Sequence, residues 1–393
     1  LRMSRGLGDV YKRQVYCMID CSLNGGTERT ISIQASYFAK HGHEVHIITE
    51  EIPEYDKNMY YFSDKIQFHY LDIGYREVDN SISPLKIWRR IKKGQEHKQK
   101  LERLLCLLHP DFTISVFGHE VSFLYSIKDG SRKILQYHFS RSARSIEFQY
   151  NGASVSQKLF TAIKEWRKRR FINRYDAFVV LTKEDAKFWG NIWNLYVITN
   201  AISFVPEKSS TCLNKQVISV GRLTVQKGYD MLLDAWSRVV SMHPGWKLVI
   251  YGKGDDYVKL QVIIQQYKLG DSVHIFPPTR DIVNKYLESS VYVMSSRYEG
   301  FPMVLPEAMA CGVPCVSFDA PCGPAEIISD GEDGFITPLG DVQRLAEKLS
   351  LLMSDDDLRI KMGKNARRNV MRYSVDRIMK QWVDLFEALK GDI

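Results

Sequence analysis

The sequence predicts an α/β chain of two doubly wound domains, and three observations carry that reading. Short apolar runs alternate with helical stretches along nearly the whole length, the signature of parallel strands crossed by helices. The alternation breaks at residues 199–215, where Pro206 stands in a Ser/Thr-rich stretch, and then resumes. A length of 393 residues suits two domains at about 100–200 residues each.

Residues 1–14 are Gly/Arg-rich and lack an apolar period, so they are read as a non-native leader, and the first domain is placed at 15–200. The run 15–19 is its opening strand. A polar, Gly-containing turn at 20–27 leads into a helix at 28–40, with Ile31, Ala35, Phe38 and Ala39 on one side. Gly42 stops that helix, and the run 44–49 is a second strand, which completes a βαβ unit. Further strands are expected at 112–117, 133–137 and 177–181. The second domain is placed at 216–373, after the break. Its expected strands are 216–220, 247–251, 273–276, 291–294 and 314–317. Helices fall near 228–242, 256–268, 281–288, 304–311, 341–353 and 355–372. A last helix near 374–390 lies in a separate segment, 374–393.

Apolar residues make up 45% and charged residues 25%, close to the soluble globular average. No apolar run reaches the ~18 residues that suggest a spanning helix. The seven cysteines are an odd number in a large chain, which argues against a disulfide framework. Cys311, Cys315 and Cys322 cluster without a fourth ligand at zinc-like spacing, and read as small buried residues; no metal site is assigned. Residues 1–200 carry a net charge of +9 and the remainder −1. A basic first half suits an anionic partner, but no nucleic-acid recognition motif accompanies it.

Open α/β sheets bind ligands beyond the carboxyl ends of their strands, so the informative residues stand in loops after strands. Glu299-Gly-Phe-Pro-Met-Val-Leu-Pro-Glu307 follows the strand 291–294 and opens a helix. Gly300 permits close backbone approach. The amides of Phe301, Met303 and Val304 are expected as free donors, a seat for a diphosphate. Glu299 and Glu307 flank that seat as acceptors for hydroxyl groups. Gly221-Arg222-Leu-Thr-Val-Gln-Lys227-Gly228 follows the strand 216–220, and its two cations suit phosphate oxygens. Gly252 and Gly254 stand after the strand 247–251, where a nucleotide pocket and a tight turn explain them equally. Asn24-Gly25-Gly26-Thr27 follows the first strand and precedes a helix, which suits a sugar or phosphate near the backbone. His41, His43 and His46 mimic a metal cluster, but a helix stop and a strand separate them. His138 ends the strand 133–137 and faces the expected cleft; His119 is a second candidate.

Together these segments resemble the family-four retaining glycosyltransferases of the GT-B fold. The resemblance rests on Ser219-Val-Gly-Arg-Leu, Gln226-Lys-Gly, Tyr251-Gly-Lys-Gly-Asp, the block from Ser296 through Glu299-Gly-Phe-Pro-Met-Val-Leu-Pro-Glu307 to Pro314, and Asp333-Gly-Phe. Asn24-Gly-Gly-Thr-Glu-Arg and Gly42-His-Glu-Val extend it over nearly everything after residue 14. It implies two Rossmann-like domains with an interdomain cleft: an acceptor domain, a nucleotide-sugar domain, and a last helix that crosses back. Arg222 and Lys227 would hold the donor diphosphate. Glu299 would contact the donor sugar, and the amides from Gly300 through Phe301, Pro302 and Met303 to Val304 would line sugar and phosphate. Glu307 would bind the ribose, and Arg280 would edge the base. Gly25 and Gly26 would close over the phosphates, and His138 would sit beside the transferred sugar. The implied reaction is retaining transfer of a hexose or N-acetylhexosamine from a nucleoside-diphosphate sugar, with UDP favoured and no metal or other cofactor. The implied acceptor is a glycan or lipid-linked glycan of cell-surface polysaccharide. Basic, apolar stretches at 85–93 and 164–172 suggest peripheral contact with an anionic membrane at the inner face of the cell membrane. A sugar-nucleotide epimerase and a non-catalytic nucleotide-sugar-binding protein remain open at this point.

Overall fold

The computed structural model describes residues 12–21, 25–53, 62–79, 85–152 and 154–390. Residues 1–11 of the expected leader, Asn24 of the first glycine loop and residues 391–393 lie outside these. The first sheet has seven strands: β1 (Arg13–Met18), β2 (Glu44–Thr49), β3 (Gln67–Tyr70), β4 (Phe112–Ser115), β5 (Arg132–Gln136), β6 (Ala177–Val180) and β7 (Leu195–Val197). The second has six: β8 (Gln216–Val220), β9 (Lys247–Tyr251), β10 (Val273–Phe276), β11 (Val291–Met294), β12 (Cys315–Phe318) and β13 (Gly334–Thr337). Their orders are β3-β2-β1-β4-β5-β6-β7 and β10-β9-β8-β11-β12-β13. Every pairing is parallel. Both sheets are therefore doubly wound, and in each the order reverses beside the strand that opens the domain. Such switch points leave a crevice where the loops diverge.

β1 starts two residues before the expected run. Gln14 is fully buried and accepts from the Tyr16 hydroxyl at 2.8 Å. The Lys12 ammonium stands over the Phe112 and Phe386 rings. Residues 12–14 thus pack against the first sheet. Sequence periodicity missed β3, β7 and β13: β3 is a half-exposed edge strand, β7 has three residues, and β13 opens on a glycine.

The inner strands β4, β6, β11 and β12 are buried throughout, as two-sided coverage by helices requires. One core cluster runs between the domains. In it, helix Val375–Lys390 buries Ile378, Met379, Trp382, Leu385, Phe386 and Leu389. Phe386 stacks on Phe112 with ring centroids 4.4 Å apart, and packs at 5.6 Å on Phe38 of helix Gly26–Lys40. The last helix of the chain therefore completes the core of the first sheet. Among the described residues no helix is long and apolar enough to cross a membrane.

Candidate active site

The loop after β8 and the loop after β11 are stitched together before any ligand arrives. Gly228 has a φ of 62°, and a Cβ there would collide with the Ser295 carbonyl. Only glycine accepts both conditions without strain. The Ser295 hydroxyl donates to the Lys227 carbonyl at 2.9 Å, and the Arg297 amide donates to the Gln226 carbonyl at 2.7 Å. The buried Arg297 guanidinium donates to Val225 O at 2.7 Å and grips both oxygens of Asp230 at 2.9 and 2.7 Å. Gln226 Nε2 donates to Tyr298 O at 3.1 Å. The product of this stitching is a direct pair: Lys227 Nζ lies 2.7 Å from Glu299 Oε1, and both side chains are mostly buried. Arg222 stays exposed, donating to Gln226 Oε1 at 3.2 Å. It lines a polar recess of ≈ 380 Å³ with Tyr298, Asp255 and, from the first domain, Glu147 and Tyr150.

Gly252 and Gly254 serve the same assembly. A Cβ at either would collide with the backbone of Gly221 or Leu223, and the Leu223 amide donates to Lys253 O at 2.9 Å. The space left by their missing side chains is filled by protein, so both glycines are needed for the two loops to pack. Arg280 is exposed on the loop after β10, the outermost strand on that side.

Gly300 meets the other domain. A Cβ there would stand 2.6 Å from the His138 carbonyl oxygen, so the glycine is required for the two backbones to approach. The His138 residue is half-buried, yet both ring nitrogens are sealed from water and make no hydrogen bond among the described residues. Burial pushes its pKa down to about 4, so the imidazole is neutral. Phe301 and Pro302 are buried and Met303 half-buried beside it. Among the described residues no hydrogen bond occupies the Phe301 or Met303 amide, and Val304 opens helix Val304–Ala310.

Glu307 departs from its expected place as an open flank of the seat. It is 2% exposed, with Oε1 2.7 Å from Arg29 of the first domain. The Ser203 hydroxyl at 3.4 Å and the Tyr286 hydroxyl at 3.3 Å donate to the same carboxylate. Burial raises its pKa, and the Arg29 charge opposes that rise. A ribose would have to share this carboxylate with Arg29. Gly25 and Gly26 precede the helix that bears Arg29. Gly26 is open to solvent. Gly25 is covered by the Glu28 carboxylate, which turns back to accept from the Gly25 and Glu28 amides; that corrects the picture of two bare glycines.

The remaining sequence candidates do not converge. His41 bonds to the Tyr37 carbonyl, while His46 contacts Glu44 and His69. Cys311, Cys315 and Cys322 are buried, and burial pushes the Cys311 and Cys322 thiols up to about 12. Among the described residues no group of His, Cys, Asp and Glu side chains is disposed to hold a metal.

Two cross-domain contacts escaped the sequence reading: the Arg29–Glu307 pair, and Glu326, whose carboxylate accepts from the Lys183 and Glu184 amides at 3.1 and 2.8 Å. Glu326 thereby caps helix Lys183–Trp189 of the first domain. Neither has a local signal, since the partners lie far apart in the chain. The Arg297–Asp230 clamp did have one: a lone arginine directly before Tyr298 and Glu299, after a buried strand.

Two doubly wound sheets thus present strand-end loops to one recess, with a cationic loop and a buried Lys–Glu pair beside it. The family model of glycosyl transferases group 1 matches residues 208–369. AmsD, the amylovoran biosynthesis glycosyltransferase of Erwinia amylovora, is 29% identical over 376 residues, covering 93% of this chain and 96% of its own. An uncharacterized glycosyltransferase of Methanocaldococcus jannaschii is 30% identical over 283 residues, 60% of this chain and 69% of its own. An exopolysaccharide phosphotransferase of Streptomyces coelicolor is 40% identical over 223 residues, but the match spans only 23% of that longer protein. Among solved structures, sucrose-phosphate synthase from Thermosynechococcus elongatus aligns with a TM-score of 0.80 at 17% identity over 97% of this chain. A mutant of S. aureus TarM, crystallised in complex with UDP, aligns at 0.74 and 16% over 96%; at such identities the likeness concerns the fold. The chain belongs to the glycosyltransferases, and its residues 208–369 match the group 1 model.

Proposed function

We propose that this glycosyltransferase is a retaining enzyme that moves a hexose or N-acetylhexosamine from a nucleoside-diphosphate sugar, UDP favoured, to a glycan or lipid-linked acceptor of cell-surface polysaccharide. The observation that carries this reading is the Lys227–Glu299 pair beside Arg222, held at 2.7 Å by the stitched loops. Two cations at one point suit the charge that builds on a departing diphosphate. A carboxylate next to them suits the hydroxyls of the sugar being released. AmsD supports the polysaccharide assignment through its amylovoran role, and TarM supports uridine through the UDP in its complex.

In this reading Lys227 hands its contact from Glu299 to the diphosphate as donor enters, and Glu299 turns to the sugar. Arg222 grips from the solvent side. The neutral His138 lies beside the sugar, unable to repel a developing oxocarbenium ion. No protein side chain is assigned as nucleophile: the acceptor attacks on the face the diphosphate leaves, and the diphosphate takes the proton. The reaction needs no metal, since Arg222 and Lys227 supply the charge; turnover should be unchanged in excess chelator.

The first domain also carries exposed apolar and basic side chains that suit peripheral contact with a membrane. Ile87, Trp88 and Ile91 are exposed on helix Lys86–Leu108 among Lys86, Arg89 and Lys92, and Leu159 and Trp166 are exposed on helix Val155–Ile172. Such surfaces bind anionic bilayers, which favours work at the cytoplasmic face of the membrane. Sedimentation should be several-fold greater with anionic than with neutral vesicles; equal binding removes the electrostatic argument.

The central test is a thermal-shift screen of UDP- and GDP-sugars, because a ligand that binds the folded state raises its melting temperature. A UDP-sugar should stabilise most, and Glu299→Gln should lower turnover at least about 100-fold. No shift with any nucleotide sugar, or near-normal turnover in that variant, would overturn the donor site.

A further inference from the structure

The first sheet ends in a buried ionisable cluster that the donor chemistry leaves unused. Glu50 follows β2 and Glu120 follows β4, the strands on either side of β1. Both carboxylates are buried and crowd the Cα of Gly118, where no side chain would fit. Burial, reinforced by the Glu50 charge, pushes Glu120 well above the usual carboxylate range, so it holds its proton. Burial would raise Glu50 as well, but the hydrogen bond and charge of His119 outweigh it, and Glu50 stays ionised.

That buried negative charge fixes His119. Glu50 Oε1 accepts from the His119 amide at 2.7 Å and Oε2 from Nδ1 at 2.6 Å. The ring stacks on Tyr75 with centroids 4.0 Å apart. Orientation by a carboxylate at Nδ1 leaves Nε2 as the working nitrogen. A quarter of the side chain is exposed, and Arg90 Nη2 lies 3.4 Å from Nε2. The Arg90 guanidinium beside the ring held by Glu50 brings several donors to one point, which suits the oxygens of a phosphate. Arg90 sits in the first turns of helix Lys86–Leu108, directly among the exposed Ile87, Trp88 and Ile91. The parallel strands bring this cluster to the same sheet edge as His138, whose carbonyl touches Gly300.

We propose that His119 and Arg90 form a phosphate site on the first domain, and that it takes the phosphate of a lipid-linked acceptor whose apolar chain lies along Ile87, Trp88 and Ile91. The proposal rests on the lipid-linked version of the acceptor reading above. It accounts for a cationic site next to apolar surface on the acceptor side, well separated in sequence from the cations that face the donor.

Calorimetric titration of the full chain with hexyl phosphate, inorganic phosphate and hexyl glucoside tests it, with UDP binding followed in parallel. Hexyl phosphate should bind, inorganic phosphate at least tenfold more weakly, and hexyl glucoside not measurably. His119→Gln and Arg90→Met should each weaken hexyl phosphate at least tenfold and leave UDP affinity within twofold. Arg90 is exposed, so its variant tests the site even if the His119 variant folds poorly. Equal binding of inorganic and hexyl phosphate, binding of hexyl glucoside as tight as that of the phosphate, or undiminished binding in both variants would overturn the proposal. Failure of UDP to bind the unaltered chain would instead sink the donor reading and leave the phosphate site standing.

Discussion

Lys227 and Arg222 carry like charges in one loop, but their surroundings give them different work. Lys227 neutralises Glu299 in a mostly buried pair, whereas Arg222 is exposed. Removing one partner of a buried pair strands the other charge and costs about 3 kcal/mol. Lys227→Ala should therefore lose both turnover and stability. Arg222→Ala should lower turnover about 100-fold with an unchanged urea midpoint; a large loss of stability in that variant would show that it, too, has a structural role. His138 makes a pH-dependent contribution. Its folded pKa of about 4 lies below the ordinary 6.5. As pH falls from 6.5 towards 4 the unfolded chain takes a proton that the folded chain refuses, so stability drops by at most about 1.4 kcal/mol per pH unit. Above pH 6.5 the group contributes no slope. His138→Gln should flatten the loss of stability between pH 6.5 and 4.5 relative to the unaltered chain, read from urea midpoints at both values.

Loops and strands differ in how much of themselves they reveal. β8, β9 and β11 were legible because each is a run of apolar, largely β-branched residues closed by glycine or serine, and their bounds match the expected ones. β3 was not, because Gln67-Phe-His-Tyr is an edge strand with both ends exposed and carries no buried-strand pattern. The glycine loops were legible as places where backbone comes close, but the partner was not. Gly300, Gly252 and Gly254 approach protein, and only the folded arrangement shows that. Glu299, Arg222 and Lys227 stand out in the sequence because charged residues after buried strands are conspicuous; Arg29 does not, because one arginine on an amphipathic helix looks like any other. The stitched loop makes its own prediction. Gly228→Ala introduces a left-handed strain and a collision with Ser295 O, which together cost at least about 1–2 kcal/mol. It should displace Lys227 and weaken UDP binding at least about tenfold by calorimetry; unchanged affinity would show that the loop relaxes freely.

Over the whole molecule the two domains are joined by charge as well as by apolar packing. Arg29–Glu307 and the Glu326 cap cross the cleft, and the seam of Gly300 on His138 depends on that closure. Arg29→Met would leave Glu307 buried without its cation. Small-angle scattering should then show a larger radius of gyration, and the KM for donor should rise; an identical scattering profile would mean that the apolar seam alone keeps the cleft shut. The packing of Phe386 is another such tie. Phe386→Ala should cost about 3–5 kcal/mol, measured by urea unfolding. Its place in the chain has a consequence for how the protein is made. Phe38 and Phe112 wait for a partner that emerges from the ribosome long after them. At roughly 5–20 residues per second, the interval from Phe112 to Phe386 lasts roughly 15–55 s. For that time the nascent first domain shows an unfinished apolar face, and a message broken before the stretch that encodes helix Val375–Lys390 would yield a first domain that never closes its own core.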